Sequence, residues 1–461
     1  MNPTTFALNG QAVDLDGEDP TQSLLRWLRG RRLTGTKEGC GDGDCGACTV
    51  VLVEADAAGA SRFVPVNSCL LPVGALPERE VLTVEALAQG ESLQPVQQTL
   101  VDHAGSQCGY CTPGFVMSLF AGYYDGELSD HAIEGNLCRC TGYRPIRDAA
   151  GALRRHPRAA DRFTAQLAMP RTAPAAAALG SFHSPATLTD ALALKSAHPE
   201  AAFLAGGTDL GVNLSRGQAV APAFIALDRI AELHLIEPGD DAVRIGAGVP
   251  LTRIERELAG LFPALDDLLP WFAARQVRNR ATLGGNLGSA SPIGDLAPVL
   301  LALDASVELA GPDGRRTVAL ADFFLDYRKT VRAPHEILVA AILPRRGDLV
   351  QAGYKIAKRQ TDDISIVAAA FAVARDARGR VEHARLAFGG VAATPVRALE
   401  VESSLLGKPL DAAAVETARA ALARAFSPLS DHRAGADYRR ALCGNLFARF
   451  AREKLGVEDA A

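Results

Sequence analysis

Residues 6–15 alternate apolar and polar positions around Asn9-Gly10 and predict a β-hairpin with a two-residue turn. Asp19, Pro20 and Thr21 then supply a start for a short helix carrying Leu24, Leu25, Trp27 and Leu28 on one side. The apolar run at 49–53 predicts a buried strand. From about residue 87 the pattern becomes helical, with helices expected over 96–103, 115–124 and 146–155. Residues 169–178 are small and broken by Pro170 and Pro174, the composition of an exposed linker. Beyond it, short strands and helices alternate to about 345, with glycine turns at Gly206-Gly207 and Gly284-Gly285. The last part reads as apolar β-type runs at 364–373 and 384–391 followed by amphipathic stretches at 411–426 and 437–453. No internal repeat is visible.

A length of 461 residues sets an expectation of about three domains, each able to bury a core. The net charge of -5, from 53 acidic against 48 basic residues, gives no reason to expect nucleic acid or a lipid surface as partner. No apolar run approaches the ~20 residues needed to cross a bilayer. The first ten residues also have neither the basic start nor the apolar stretch of a secretory signal. A soluble, cytoplasmic protein is expected.

The cysteines change the picture. Eight of the nine fall in the first 140 residues, as Cys40, Cys45, Cys48 and Cys69, then Cys108, Cys111, Cys138 and Cys140. The first set reads Cys-x4-Cys-x2-Cys with a distant fourth thiol, the ligand spacing of a plant-type 2Fe-2S cluster. Two such centres imply a one-electron relay. A disulfide framework would need an oxidising compartment. Structural zinc is the stronger rival, because Cys-x2-Cys with Cys-x-Cys could close a tetrahedral thiolate site. At the first set the glycines of Gly39-Cys40-Gly41-Asp42-Gly43-Asp44-Cys45-Gly46 favour iron, since they let backbone N–H groups turn toward the sulfurs. Cys138 and Cys140 would point about 200° apart on a regular helix, so a loop or helix end is required there. Cys443 reads as a small, half-buried apolar residue.

Two glycine-rich segments add a second chemistry. Ala202-Phe203-Leu204-Ala205-Gly206-Gly207-Thr208-Asp209 looks like a strand entering a turn whose N–H groups could gather around a pyrophosphate, although such a turn alone is more often only a turn. Residues 281–295 offer the hydroxyls of Thr282 and Ser289, the Asn286 amide and the Asp295 carboxylate in one loop. Neither segment is a Gly-x-Gly-x-x-Gly opening a helix, so a Rossmann site is not supported.

Taken in order along the chain, the paired cysteine motifs, the Gly-Gly-Thr-Asp turn and the Gly284-Gly285-Asn286 to Gly294-Asp295 loop resemble the iron–sulfur/FAD subunits of two-subunit xanthine dehydrogenases, in the molybdenum hydroxylase superfamily. Further matching stretches are Gly35-Thr36-Lys37-Glu38-Gly39-Cys40, Gln107-Cys108-Gly109-Tyr110-Cys111-Thr112-Pro113-Gly114 and Asn136-Leu137-Cys138-Arg139-Cys140-Thr141-Gly142-Tyr143. The similarity spans nearly the whole chain. It implies an α+β multidomain protein: a plant-ferredoxin-like β-grasp domain at 1–86, a helical 2Fe-2S domain at 87–160 and a linker at 161–178. An α+β FAD-binding domain of the vanillyl-alcohol-oxidase/CO-dehydrogenase-flavoprotein type would follow at 179–346, then a C-terminal α+β domain at 347–461.

By the same resemblance, residues 202–209 wrap the FAD diphosphate, and Thr282, Gly285, Asn286, Ser289 and Asp295 form the second FAD loop. Phe272 matches an aromatic ring near the isoalloxazine, and Leu338 and Lys355 match further flavin contacts. Tyr327 and Asp362 fall beside the nicotinamide pocket. The segment Ile356-Ala357-Lys358-Arg359-Gln360 is less basic than in several members, a difference that bears on the electron acceptor. The implied function is electron transfer from a molybdopterin centre on a larger partner subunit, in an α2β2 assembly, through two 2Fe-2S clusters to FAD and then NAD⁺. No residue for xanthine hydroxylation itself is expected in this chain. Two other functions stay open: the equivalent subunit of a hydroxylase acting on an aldehyde or N-heterocycle, and a non-enzymatic iron–sulfur or zinc protein.

Overall fold

The computed structural model describes residues 4–56, 59–156, 158, 160–218, 220–359 and 361–457; Gln360 of the less basic segment lies outside them. The chain divides into two compact units, one of residues 1–231 with 273–281, the other of 232–272 with 282–461.

The first unit opens with the expected hairpin, β1 (Thr5–Leu8) and β2 (Gln11–Asp14). Asn9 and Gly10 both take positive φ, 53° and 80°, as a turn of this twist demands. Helix α1 (Leu24–Gly30) starts later than the sequence suggested. Asp19 instead closes a local turn by accepting from Thr21 N at 2.9 Å, and Ser23 caps the helix by accepting from Arg26 N. Strands β3 (Thr49–Ala55), β4 (Ser61–Asn67) and β5 (Glu80–Leu82) complete a sheet ordered β2-β1-β5-β3-β4, with β1 and β5 parallel. Trp27 of α1 packs edge-on against Phe6, ring centroids 5.5 Å apart.

Helices α2 (Pro95–Asp102), α3 (Thr112–Asp125) and α4 (Arg144–Leu153) match the three helical stretches within a turn or less. Gln94 and Gln97 form a reciprocal capping box at the start of α2. The supposed linker is not wholly irregular. Residues 162–167 form α5 (Arg162–Leu167), which Asp161 caps and whose Phe163 packs edge-on against Phe120, ring centroids 4.8 Å apart. Strands β6 (Ala177–Leu179) and β7 (Phe182–Ser184), helix α6 (Leu188–Ala197), β8 (Ala202–Leu204), helix α7 (Leu210–Ser215) and β9 (Phe224–Ala226) follow, the strands ordered β6-β7-β9-β8. Phe182, Leu204 and Phe224 bury in one core with Phe6, Leu24 and Trp27, so this small sheet shares the β-grasp interior.

The second unit begins with β10 (Ile236–Pro238), β11 (Ala242–Gly246), α8 (Leu251–Glu257) and α9 (Pro263–Leu268). Residues 273–281, with the short helix α10 (Arg275–Arg278), belong to the first unit. The chain then resumes with α11 (Leu283–Ser289), α12 (Leu296–Ala302), β12 (Ser306–Gly311), β13 (Gly314–Ala319), the small hairpin β14 (Phe324–Asp326) and β15 (Lys329–Thr330), and β16 (Ile337–Pro344). An antiparallel sheet runs β10-β11-β16-β12-β13. A second sheet is formed by β17 (Val350–Ile356), β18 (Val367–Arg375), β19 (Val381–Gly389) and β20 (Val396–Arg397). Helices α13 (Leu399–Leu405), α14 (Ala412–Leu422) and α15 (Ala436–Leu455) pack with it around Phe371, Phe388, Phe447 and Phe450. Cys443 is fully buried here rather than half-buried, since its face of α15 turns into this aromatic core. Among the described residues no helix is long and apolar enough to cross a membrane.

Candidate functional site

The first cysteine loop wraps its sulfurs in backbone donors. Asp42 and Cys45 donate their N–H groups to Cys40 Sγ at 3.4 and 3.3 Å, and Cys40 N donates to Cys45 Sγ at 3.3 Å. Gly41, Gly43 and Gly46 take φ of 73°, 90° and 63°, values that side chains resist. The Cys40 thiol is drawn down to about 5, first by its hydrogen bond with the Cys45 sulfur, against burial and with help from the N–H groups of Asp42, Cys45 and Asp44. Cys48 and Cys69 form a second, buried pair, in which the bond to Cys69 lowers the Cys48 thiol.

In this first set the sulfurs are paired, Cys40 with Cys45 and Cys48 with Cys69. Pairing suits a binuclear cluster, where each iron takes two thiolates from a set of four.

The second set also draws together. Cys140 Sγ lies 3.7 Å from Cys108 Sγ and 3.9 Å from Cys138 Sγ, while Cys111, just before α3, is hydrogen-bonded to Cys138. Cys138 and Cys140 sit in a loop, as their spacing requires. Tyr143, at φ 67°, closes it by accepting the Cys138 N–H at 3.0 Å. Burial opposes ionisation of Cys138, but the Thr141 hydroxyl 2.9 Å away and the N–H groups of Thr141 and Cys140 prevail and hold the thiol at about 7. Cys45 and Cys69 are pushed up as they donate to the lowered Cys40 and Cys48 sulfurs, and burial pushes up Cys111, so the protein by itself favours one thiolate in each of these pairs, the species that iron binds.

The two loops touch. Leu137 N donates to Cys45 O at 3.0 Å, and Asn136 Nδ2 to Gly46 O at 2.9 Å. A Cβ on Gly46 would lie 2.0 Å from Gly135 O, and one on Gly114 2.3 Å from Gly46 O. Gly46 therefore serves a close approach as well as a turn, which the sequence did not reveal.

In the first unit, β8 delivers residues 202–209 into a turn that opens the short helix α7, without a Gly-x-Gly-x-x-Gly motif. Gly206 rests on the backbone of Arg280, where a Cβ would stand 1.7 Å from the carbonyl oxygen, and Gly207 takes φ 79°. A Cβ on Gly211 would lie 2.4 Å from Leu70 O, the residue after Cys69. Arg216, just past α7, pairs with Asp42 of the first cysteine loop at 2.8 Å. Phe203 carries the Lys195 ammonium 5.4 Å from its ring centre.

In the second unit, seven of the fifteen residues of the expected 281–295 loop form α11. Thr282 caps α11 by accepting from Gly285 N at 3.0 Å. Gly284 lets the helix press on Ala247, while Gly285 and Gly288 are exposed and no atom lies within 4 Å of where a Gly288 Cβ would stand. Asn286 Oδ1 is buried and has no hydrogen-bond partner among the described residues. A bare glycine face beside an unsatisfied amide oxygen fits a flat, polar cofactor such as FAD. Ser289 caps locally onto Asn286 O. Asp295 is buried, and both of its oxygens are engaged, by Lys355 Nζ at 2.8 Å and by Ser365 Oγ at 2.5 Å. Ser365 had no sequence signal. Leu338 is buried in β16, opposite Leu309, and α11 lies against that strand. Phe272 is half-buried, Asp362 is buried at φ 53°, and Tyr327 is exposed in the β14–β15 hairpin.

Four family models match: a 2Fe-2S iron–sulfur cluster binding domain at 6–74, a [2Fe-2S] binding domain at 83–151, the FAD binding domain in molybdopterin dehydrogenase at 176–346 and the CO dehydrogenase flavoprotein C-terminal domain at 352–454. The chain is 34% identical to the xanthine dehydrogenase of Emericella nidulans over 99% of its own length and 39% of that protein. It is 32% identical to the xanthine dehydrogenase/oxidase of Mus musculus, over 100% of this chain and 40% of that one. It thus spans about two fifths of the length of these curated relatives. Among solved structures it resembles a carbon monoxide dehydrogenase from Hydrogenophaga pseudoflava, with TM-score 0.56 and 31% identity over 60% of this chain and 96% of that one. A quinoline 2-oxidoreductase from Pseudomonas putida 86 matches with TM-score 0.55 and 28% identity, over 58% of this chain and 94% of that one. The chain belongs to the molybdenum hydroxylase family, of which it carries the two 2Fe-2S domains, the FAD-binding domain and the flavoprotein C-terminal domain.

Proposed function

We propose that this chain is the electron-transfer subunit of a xanthine dehydrogenase, taking electrons from a molybdopterin centre on a larger partner in a cytoplasmic α2β2 complex and passing them to NAD⁺. Cys108, Cys111, Cys138 and Cys140 hold the cluster nearer molybdenum, and Cys40, Cys45, Cys48 and Cys69 the plant-type cluster. Residues 202–209 and the loop of Thr282, Gly285, Asn286, Ser289 and Asp295 hold FAD, with Phe272, Leu338 and Lys355. Tyr327 and Asp362 border the nicotinamide site. Bound there, the clusters would carry electrons singly and the flavin would collect two for release as hydride.

The observation that carries this reading is the pairing of eight thiols in two donor-lined loops joined through Leu137 and Cys45. The chain's own part is to keep those loops in contact and to supply N–H groups that favour the thiolates. In the reconstituted complex, Cys108→Ala should abolish flavin reduction by xanthine while NADH still reduces the flavin. Undiminished reduction by xanthine would overturn the proposed order. Steady-state assays of the complex on xanthine, nicotinate and aldehydes separate the purine reading from the other hydroxylases, to which the carbon monoxide and quinoline enzymes lend support.

A further inference from the structure

Residues 273–281 insert three side chains beneath the second cysteine loop. Arg278 pairs with Glu134 at 2.6 Å, and Arg275 with Asp125 at 2.9 Å. Between them Gln276, only 2% exposed, sends Nε2 to Asn136 Oδ1 at 3.1 Å, Ser118 Oγ at 3.0 Å and Thr49 Oγ1 at 3.4 Å. Ser118 Oγ donates to the same Asn136 oxygen at 2.7 Å, and Thr49 Oγ1 donates to Gly46 O at 2.6 Å. Asn136 Nδ2 is thereby aimed at Gly46 O. Every member of this network is buried. It ends on the backbone on both sides: Gly46 lies between Cys45 and Cys48, and Asn136 two residues before Cys138.

We propose that Gln276 is a positioning residue for both cysteine loops, fixing Asn136 so that the Leu137 N–H stays on the Cys45 carbonyl and the two sulfur sets keep one separation. Buried amides of this kind act as a unit, because removing one donor leaves its acceptor desolvated and the neighbours free to turn. The proposal rests on the reading above, that these cysteines hold 2Fe-2S clusters. It assigns a role to a residue that is neither a ligand nor near one in sequence.

Gln276→Met keeps length and bulk but removes the amide, so it tests the donor rather than the volume. The full chain, loaded with iron, sulfide and FAD and reduced with dithionite, is followed by low-temperature electron paramagnetic resonance and by redox titration. The magnetic interaction between two paramagnetic clusters depends steeply on their separation. Gln276→Met with full iron content should therefore change or lose the splitting seen in the parent and shift the midpoint potential of at least one cluster. An iron-replete Gln276→Met with the parent's splitting and potentials would overturn the proposal. Should that variant fail to load iron, Ser118→Ala, which removes one donor to the same Asn136 oxygen, carries the same expectation and the same refutation. A parent without 2Fe-2S signals would sink the underlying reading; a parent with them and unchanged variants would sink this inference alone.

Discussion

Asp295→Asn isolates the strongest electrostatic commitment in the second unit. The Lys355 and Asp295 side chains are only 4% and 7% exposed, with Nζ and Oδ2 2.8 Å apart. The other carboxylate oxygen accepts from Ser365. Asparagine keeps the shape but withdraws the charge, and its amide must turn a donor toward either the ammonium or the hydroxyl. Breaking a buried pair from one side costs about 3–5 kcal/mol, because the remaining charge stays desolvated without its partner. For a unit of this size that corresponds to a loss of roughly 6–20 °C in its melting transition. Removing both charges with Asp295→Asn and Lys355→Met should recover at least about 2 kcal/mol of the loss, a coupling typical of residues in direct contact. The assay is urea and thermal unfolding of the FAD-loaded chain. Circular dichroism and released-flavin fluorescence are read in parallel, since a chain of two units need not unfold in one step. A single variant within about 1 kcal/mol of the parent, or a double variant no more stable than the single, would refute the argument.

Other consequences can be checked as directly. Gly206→Ala drives a Cβ to 1.7 Å from the Arg280 carbonyl, so it should destabilise the first unit by about 1–3 kcal/mol and lower FAD content, which flavin absorbance measures; full FAD and parental stability would contradict the packing argument. Asp228 is buried between Arg79, 2.7 Å away, and Arg280, 3.2 Å away; burial alone would raise its carboxyl, but the two guanidinium groups hold it at about 2. Such a depressed carboxylate contributes roughly 2 kcal/mol above its unfolded value near pH 4, a contribution lost as pH falls toward 2. The stability gap between Asp228→Asn and the parent should therefore narrow over that window in acid unfolding, and a gap constant with pH would count against it. Fully loaded protein should hold about four iron, four sulfide and one FAD per chain. Cys443→Ala should leave that content unchanged, because Cys443 lies in the aromatic core of the C-terminal sheet and helices.

Local chemistry made much of this legible from sequence. Asn9-Gly10 announced its hairpin because few other pairs tolerate two positive φ values, and the cysteine spacings announced sulfur loops because metal ligands must converge. The run at 364–373 read as a β-type stretch despite Ser365, because the rest of it is apolar, and β18 takes up all but its first three residues. What escaped notice depends on partners far along the chain. Gln276 looks like any surface amide until α10 places it beside Asn136. Ser365 gains meaning only from Asp295, and Gly211 only from Leu70. Helix α11 was missed because three glycines and a serine argue against helix locally, whereas the Thr282 cap and the contact with Ala247 compensate once the fold exists. Helix α5, just ahead of the proline-broken stretch at 169–178, escaped notice for a similar reason: Phe163 is an isolated aromatic in sequence but completes a cluster with Phe63, Phe120 and Tyr124.

The interior shared by Phe6, Trp27, Phe182 and Phe224 bears on how a gene for this protein could be divided. Severing the polypeptide within the proline-punctuated stretch after α5 would leave two fragments, each with a raw apolar face that water opposes. Such halves would have to find each other again, so separate subunits could arise here only if that aromatic seam survived as a permanent interface between them.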